Sequence, residues 1–421
     1  MKVIADLQIH SRFSRATSSS LNLGNLEKYA KLKGLNLLGT GDFTHPKWLA
    51  ELKSELKEDG TGILTSKTGF HFALQGEISN IYTQDGKARR IHTLLLARNF
   101  EIVGQINAAL LKKGRLDYDG RPIFGFSCVE LVEMMKDIDN DIEIIPAHAW
   151  TPWYGIFGSM SGFDSVEECF QEQAKHIYAI ETGLSSDPAM NWRLSKLDKF
   201  TLVSSSDAHS FWPWRLGREC NVFDIDLSYD DLLQAIRKRK GFVETIEMWP
   251  HEGKYHYSGH RVCNICLSPK ESIKLNNICP QCKRKVTIGV AQRVDMLADR
   301  EEGYVPKNTI PFKNLIPLSE VIAGSIGSAI SSKQVWEEYF KLVNVLGNEF
   351  EVLLSAEENQ LRKITSEKIA NNIIRNRNQR IPFKPGYDGI YGVPVFDEDN
   401  TKDTQQKHKQ SIVQSGLDEF I

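Results

Sequence analysis

Eleven histidines are scattered through this 421-residue chain, and several stand beside carboxylates in short polar runs that follow apolar stretches. Asp6, Gln8 and His10 follow Val3-Ile4-Ala5. Gly39-Thr40-Gly41-Asp42, with His45, follows Leu35-Asn36-Leu37-Leu38, and Gly76-Glu77 follows Phe72-Ala73-Leu74. His148 comes after Ile142-Glu143-Ile144-Ile145, Glu181 closes Ile177-Tyr178-Ala179-Ile180, and Ser206-Asp207-Ala208-His209 follows Phe200-Thr201-Leu202-Val203. His92 is the exception, since it opens the run Thr93-Leu94-Leu95-Leu96. Imidazole and carboxylate are preferred ligands of Zn²⁺ and Mn²⁺, and a bridging carboxylate such as Glu77 can hold two ions about 3.5–4 Å apart. A single histidine after a strand is usually a hydrogen-bonded loop residue. His10, His92, His148 and His209 together with Glu77, Asp207 and Asp42 form a constellation that unrelated core positions do not readily produce.

Cysteine spacing defines a second site. Cys263-Asn264-Ile265-Cys266 and Cys279-Pro280-Gln281-Cys282 are twelve residues apart and bring four thiolates within reach of one tetrahedral Zn²⁺. Four sulfurs close the coordination sphere, so this zinc is expected to hold structure, with His251, His256 and His260 outside the set. Cys128, Cys169 and Cys220 lie singly in apolar surroundings, a split that favours a reducing compartment over a disulfide framework.

Ligands so far apart need a scaffold that gathers them. From 1 to about 245 the seven apolar runs alternate with amphipathic segments at 22–33, 102–112, 128–136 and 165–174, with another at 230–240. This is the pattern of β-α units and predicts a barrel of parallel strands with its reactive groups at the C-terminal strand ends. Residues 246–290 are polar, aromatic and cysteine-rich, consistent with a small metal-held insert. Residues 291–395 read as mostly helical, with the longest helices over 332–355 and 357–378. Residues 396–421 read as a charged, flexible tail.

With 41% hydrophobic and 25% charged residues, the composition is that of a folded protein with a packed core. The net charge of -2 conceals local asymmetry, because 361–384 carries seven Lys/Arg against the single Glu367, a pattern suited to polyanions. No run approaches the roughly 18 apolar residues of a membrane span, and the first residues lack a cleavable apolar region; the expectation is a cytoplasmic, nucleoid-associated protein without a membrane partner.

The order of these motifs resembles the polymerase and histidinol phosphatase (PHP) superfamily, whose metallohydrolases use a distorted seven-stranded (β/α) barrel. Its last signature, Ser-Asp-x-His, is matched by Ser206-Asp207-Ala208-His209; its first, His-x-His, appears here as Gln8-Ile9-His10, so a neutral amide replaces one ligand. The resemblance implies one metal on His10, Glu77 and Asp207 with Gln8 beside it, and a second on Glu77, His92 and His148. It also implies a third position made by His209 with Asp42 or His45. Zn²⁺ is expected, with Mg²⁺ or Mn²⁺ as alternatives near Gln8.

The runs Lys254–Cys263, Ile288–Asp295, Pro311-Phe312 and Leu315-Ile316-Pro317-Leu318 narrow the resemblance to the endonuclease Q family up to about residue 395. That resemblance implies a DNA repair endonuclease. Metal-activated water would cut the phosphodiester 5′ to deaminated bases (uracil, hypoxanthine, xanthine) and abasic sites, with Glu77, His148, Asp207, His10 and Arg218 catalytic. Arg215 and Arg218 are expected to clamp phosphates. Trp153 and Trp212, with Trp150, Tyr154 and Trp214, are placed to shield an extruded base, and the basic segment 361–384 to track the backbone. Gln414, Leu417, Phe420 and Ile421 match the pattern of a sliding-clamp-binding peptide. Other readings are a small-molecule phosphoesterase of the same superfamily, a proofreading exonuclease, or a catalytically inactive lesion-binding adaptor.

Overall fold

A computed structural model describes residues 1–396. All seven predicted strands form within it: β1 (Lys2–Asp6), β2 (Leu37–Gly39), β3 (His71–Gln84), β4 (Lys87–Ala97), β5 (Glu143–Pro146), β6 (Ala179–Glu181) and β7 (Thr201–Val203). Successive residues on these strands enter different cores, as a period of two demands. Leu95, Ile144 and Ile180 pack with the outer helices, whereas Leu94, Leu96, Ile145 and Ala179 pack with Val3, Ala5 and Leu37.

β1, β2 and β3 are parallel, but β4 runs antiparallel to both β3 and β5, with Ser79 opposite His92 and Thr93 opposite Pro146. This corrects the expectation of an all-parallel barrel. The cause is local: β3 and β4 are joined only by Asp85-Gly86, both at positive φ (53° and 72°), a two-residue hairpin turn where a parallel crossover needs a dozen residues or more. It also explains why His92 precedes its apolar run. Because β4 descends where the others ascend, His92, midway along it and opposite Ser79, comes before its apolar run yet reaches the mouth.

The ring is completed at that mouth by backbone bonds rather than by long ladders. Ala149 N donates to Glu181 O at 3.0 Å, linking the ends of β5 and β6, and His10 N donates to Ala208 O at 2.9 Å, linking the ends of β1 and β7. Asp6 strengthens the second seam by accepting from Ser206 N (3.0 Å), Ser206 Oγ (2.5 Å) and Gly217 N (2.9 Å). On the other side of β1 the sheet continues through antiparallel β8 (Cys220–Asp224) and β9 (Phe242–Glu247).

The later segments are tied to this body. Phe312–Asn314 pairs in parallel with β9, and Gly386 N donates to His251 O, so chain beyond 290 returns to both the barrel sheet and the insert. The buried Lys33–Glu349 pair (2.7 Å), with Tyr339 Oη on the other Glu349 oxygen (2.9 Å), docks the C-terminal helices onto the barrel. Both long helices expected there are interrupted. Lys333–Leu346 stops at Gly347 (φ 104°) before a wider turn over Glu351–Ser355. Glu358–Ile364 and Glu367–Arg377 are divided by Thr365 and Ser366, whose side chain caps the second of them. No helix of the described residues is long and apolar enough to cross a membrane.

Candidate active site

Three of the strand-end residues, Asp42, His148 and Asp207, have left-handed backbones, with φ of 43°, 32° and 48°. A non-glycine residue there costs on the order of 1 kcal/mol, and such strain is held only where surrounding structure imposes it. Neighbouring close approaches leave little choice: a Cβ on Gly39 would lie 2.8 Å from Leu7 O, and one on Gly183 would lie 2.7 Å from the His148 Cα.

The side chains so placed form two donor sets sharing a buried carboxylate. Glu77 Oε2 lies 3.1 Å from His10 Nε2 and 3.0 Å from Gln8 Nε2, while Glu77 Oε1 lies 2.7 Å from His92 Nδ1 and 3.4 Å from His148 Nε2. His10 Nε2 also reaches Asp207 Oδ1 at 3.1 Å, and the His209 ring is 4.4 Å from that of His10. The donor atoms of His10, Asp207 and His209 lie within 4.8 Å of one another, as do those of Glu77, His92 and His148.

Partners behind the ligands fix which nitrogen faces inward. His10 Nδ1 is held by Asp42 Oδ1 at 2.9 Å, and His148 Nδ1 by Thr151 Oγ1 at 3.0 Å, while Glu181 Oε2 accepts from the His148 backbone at 2.7 Å. Such supports orient metal-binding imidazoles and raise their basicity. Asp42 therefore stands behind His10, not among the metal ligands where it was expected. It is fixed by Ser11 N (2.6 Å) and Ser14 Oγ (2.9 Å). His45 stacks on Phe13 at 4.4 Å, so neither residue joins His209 in a third donor set.

The electrostatics leave Glu77, His92 and His209 in the form that binds a cation, whereas His10 holds a proton that a cation would have to displace. Burial opposes ionisation of Glu77, but Arg121 and His92 outweigh it and hold the carboxyl well below its ordinary range. Burial, reinforced by Arg121, pushes His92 down to about 3; burial with His10 nearby takes His209 to about 4. Burial opposes charge on His10 as well, yet Asp42, Asp207 and Glu77 raise it well above the usual imidazole value. Glu181 is pushed up to about 8 by burial.

Arg121 was not singled out from sequence. Its Nη1 is 3.4 Å from Glu77 Oε1, and its charge also faces Asp207, Asp119 and Asp42. The signal available was Asp119-Gly120-Arg121-Pro122, a polar turn with Gly120 so close to Asp42 that a Cβ would collide with its carboxylate.

Other expected residues lie elsewhere. Arg218 is buried beside the mouth and outside both donor sets, giving Nε and Nη2 to Ser206 O at 3.2 and 3.1 Å. Arg215 lies 5.0 Å over the Tyr391 ring. Trp153 is partly exposed and meets Tyr255 edge-on at 5.9 Å, and Tyr154 packs on His92 at 4.3 Å. Trp212 instead stacks on Trp214 at 5.1 Å and packs on Trp336 at 5.2 Å, joining the barrel to a C-terminal helix; Trp150 is buried with its Nε1 on Asn191. Within 361–384, Arg362 pairs with Glu358 and Glu367, Arg375 holds Phe396 O, and Arg377 holds Leu353 O, so three of the seven basic groups serve the fold.

In the insert, Cys263, Cys279 and Cys282 converge with His260, their donor atoms within 4.8 Å of one another. Cys266, on the same hairpin, pairs with Gly259 and has its thiol 3.9 Å from Pro385 O. The two strands put Gly259 and Cys266 on one face and His260 with Ile265 on the other, which brings His260 into the set. Gln414, Leu417, Phe420 and Ile421 lie outside the described residues.

Comparison with known proteins identifies the chain's relatives. The chain superposes on the lesion-specific endonuclease PfuEndoQ from Pyrococcus furiosus with a TM-score of 0.85 and 31% identity, over 97% of this chain and 99% of that one. It belongs to the endonuclease Q family. A solved structure of endonuclease Q with a 27-mer duplex carrying an abasic lesion at its active site gives the same TM-score and identity, over 96% of this chain and 100% of the other. Residues 317–380 match the family described as the MJ0043 C-terminal domain. MJ0043 of Methanocaldococcus jannaschii is 34% identical over 69% of this chain, which spans only 36% of that protein's length. YqxK of Bacillus subtilis is 27% identical over 93% of this chain and 98% of its own.

Proposed function

We propose that this chain is a metal-dependent, lesion-specific DNA endonuclease, cutting the phosphodiester 5′ to deaminated bases (uracil, hypoxanthine, xanthine) and to abasic sites. The observation that carries this reading is Glu77, whose two oxygens face separate donor sets; one carboxylate between two such sets is the arrangement used to hold a pair of cations for phosphodiester hydrolysis. The donor chemistry fits Zn²⁺ at Glu77, His92 and His148. It fits Zn²⁺, Mn²⁺ or Mg²⁺ at His10, Asp207 and His209, where Gln8 adds a neutral oxygen that is buried without a donor. Cations bound there would lower the pKa of water toward neutrality and offset charge on the phosphate oxygens.

The chain's own groups do the rest. Asp42 and Thr151 hold His10 and His148 with Nε2 inward, and Glu181 Oε2 fixes the strained His148 backbone by accepting from its N–H. Arg121 brings a guanidinium beside Glu77 Oε1, suited to two-point contact with the non-bridging oxygens of a phosphate held there. Trp153, Tyr255 and Tyr154 offer flat apolar faces at the mouth for an unstacked base. In this reading residues 1–245 carry the chemistry, 246–290 and 291–395 extend the DNA surface, and 396–421 tether the enzyme to a sliding clamp through Gln414, Leu417, Phe420 and Ile421.

End-labelled duplexes with uracil, hypoxanthine or an abasic site, incubated with Zn²⁺, Mn²⁺ or Mg²⁺, test this directly. A cut on the 5′ side of the lesion is expected, lost by at least about 10³-fold in Glu77→Ala while duplex binding persists. Equal cutting of undamaged duplex would remove the lesion reading; no cutting under any metal would remove the nuclease.

A further inference from the structure

Beside the metal mouth, four side chains from three distant segments meet. Arg215 and Arg218 follow β7, Lys254 lies in the cysteine insert, and Tyr391 belongs to the last described segment. The Arg215 guanidinium lies 5.0 Å from the Tyr391 ring centroid, the Lys254 ammonium lies 4.6 Å from it, and Arg218 approaches the hydroxyl. Arg218 is only 6% exposed, and after Nε and Nη2 are given to Ser206 O, its Nη1 is buried without an acceptor. A buried guanidinium N–H left in that state is unfavourable, and an incoming acceptor would recover the loss. Ser206 immediately precedes Asp207, so this cluster adjoins the His10–Asp207–His209 set without entering it.

The surrounding charges make the cluster suited to an anion. Glu252 of the insert and Glu320 of the helix Leu318–Ile326 face the two arginines, but burial raises both carboxyls and so weakens the compensation they supply. Tyr255 faces the same space, together with Asp388 and Arg261. The arrangement has the features of a phosphodiester site: guanidinium donors, a compact ammonium and a phenolic O–H.

We propose that Arg215, Arg218, Lys254 and the Tyr391 hydroxyl bind one backbone phosphodiester of the nucleic acid, next to the one that is cut. The assignment rests on the nuclease reading only for the identity of the polymer. It gives the insert and the C-terminal segment a direct part in holding DNA, which the inward-turned arginines of 361–384 do not. It also makes the phenol and the phosphate competitors for the same cations. Burial opposes ionisation of Tyr391, but Arg215, Arg218 and Lys254 outweigh it and bring the phenol down to about 7. Below that pH the phenol is neutral and donates a hydrogen bond; above it, the phenolate offsets part of the cluster's positive charge and affinity falls.

The test uses the full chain, a fluorescent undamaged duplex and a chelator, with binding followed by anisotropy against salt at pH 6 and pH 8.5. Wild type should bind several-fold more weakly at the higher pH. Lys254→Met should lower affinity at pH 6 and reduce the slope of log K against log salt by about 1, with Lys254→Arg restoring both. Tyr391→Phe should abolish most of the pH dependence. The wild-type minus Tyr391→Phe ultraviolet difference spectrum should show a phenol whose midpoint rises when duplex is added. Unchanged salt slope and pH response in these variants would overturn the site even if the wild type cuts lesion duplexes. The same would follow if inorganic phosphate at matched ionic strength moved the midpoint and duplex did not. If the shifts appear but no lesion duplex is cut, the site stands and the nuclease reading falls.

Discussion

The Gln8 amide nitrogen lies 3.0 Å from Glu77 Oε2, and the Gln8 oxygen, in the same buried wall, has no donor. The amide can keep its hydrogen bond to Glu77 or turn its oxygen inward as a neutral ligand. Both choices hold a cation more weakly than an imidazole does.

Gln8→His should therefore tighten the metal on the His10–Asp207 side. Elemental analysis after dialysis against a weak chelator should show more metal retained per chain than in wild type, and cutting should persist to lower free metal. Equal retention in the two proteins would place Gln8 outside the coordination sphere, as a hydrogen-bond donor to Glu77 alone.

Arg121 separates holding the carboxylate from meeting the phosphate. If its guanidinium contacts the phosphate in the transition state, Arg121→Ala should lower kcat about 10²-fold with metal content unchanged. Lys at this position should recover only part, since a point charge lacks the planar fork. Loss of bound metal without a separate loss of kcat would assign Arg121 to keeping Glu77 ionised.

Much of this site was legible because its residues obey a simple rule: apolar run, then ligand. That rule singles out His10, Glu77, His148, Asp207 and His209, whose side chains the fold brings together, and it locates all seven strands. What failed depends on relations that residue type does not encode. Asp42 is a carboxylate after a strand, as a ligand would be, and only its 2.9 Å bond to His10 Nδ1 reveals a supporting role. The reversed β4 was signalled by Asp85-Gly86, a hairpin turn masked by the expectation of uniform β-α units. Arg121 lies in a turn with no periodic pattern around it. Arg375 and Arg377 look like surface charge in sequence but spend themselves on backbone carbonyls.

The insert offers five potential donors for one ion, His260 and the four cysteines. One zinc per chain is expected there, lost with cooperative folding of the insert in Cys279→Ser, because this thiol is fully buried among Cys263, Cys282 and Leu267. Cys266→Ala should lose less metal than Cys279→Ser, since its thiol faces Pro385 O while His260 stands in the converging set. Equal loss in the two variants, with His260→Ala retaining zinc, would put the fourth cysteine in place of the imidazole.

At the opposite end of β5 from His148, Glu143 is buried with Arg237 Nε 2.6 Å from its Oε2, and burial, only partly offset by Arg237, raises its carboxyl from 4.5 to about 7. In the unfolded chain the same group ionises near its ordinary value. Between those two values the folded state holds a proton that the unfolded state has released, so this group's contribution is fully present below about 4.5 and is lost as pH rises through 7. The span corresponds to roughly 3 kcal/mol at most. Glu143→Gln should remove that slope: denaturant melts at pH 5 and pH 8 should differ less in the variant, with its relative stability improving toward pH 8. Arg237→Ala should do the opposite, destabilising most at high pH, where the carboxylate would be charged, buried and without its guanidinium. Parallel pH profiles for wild type and Glu143→Gln would mean that the carboxyl ionises at its ordinary value in the folded protein and that Arg237 fully compensates its burial.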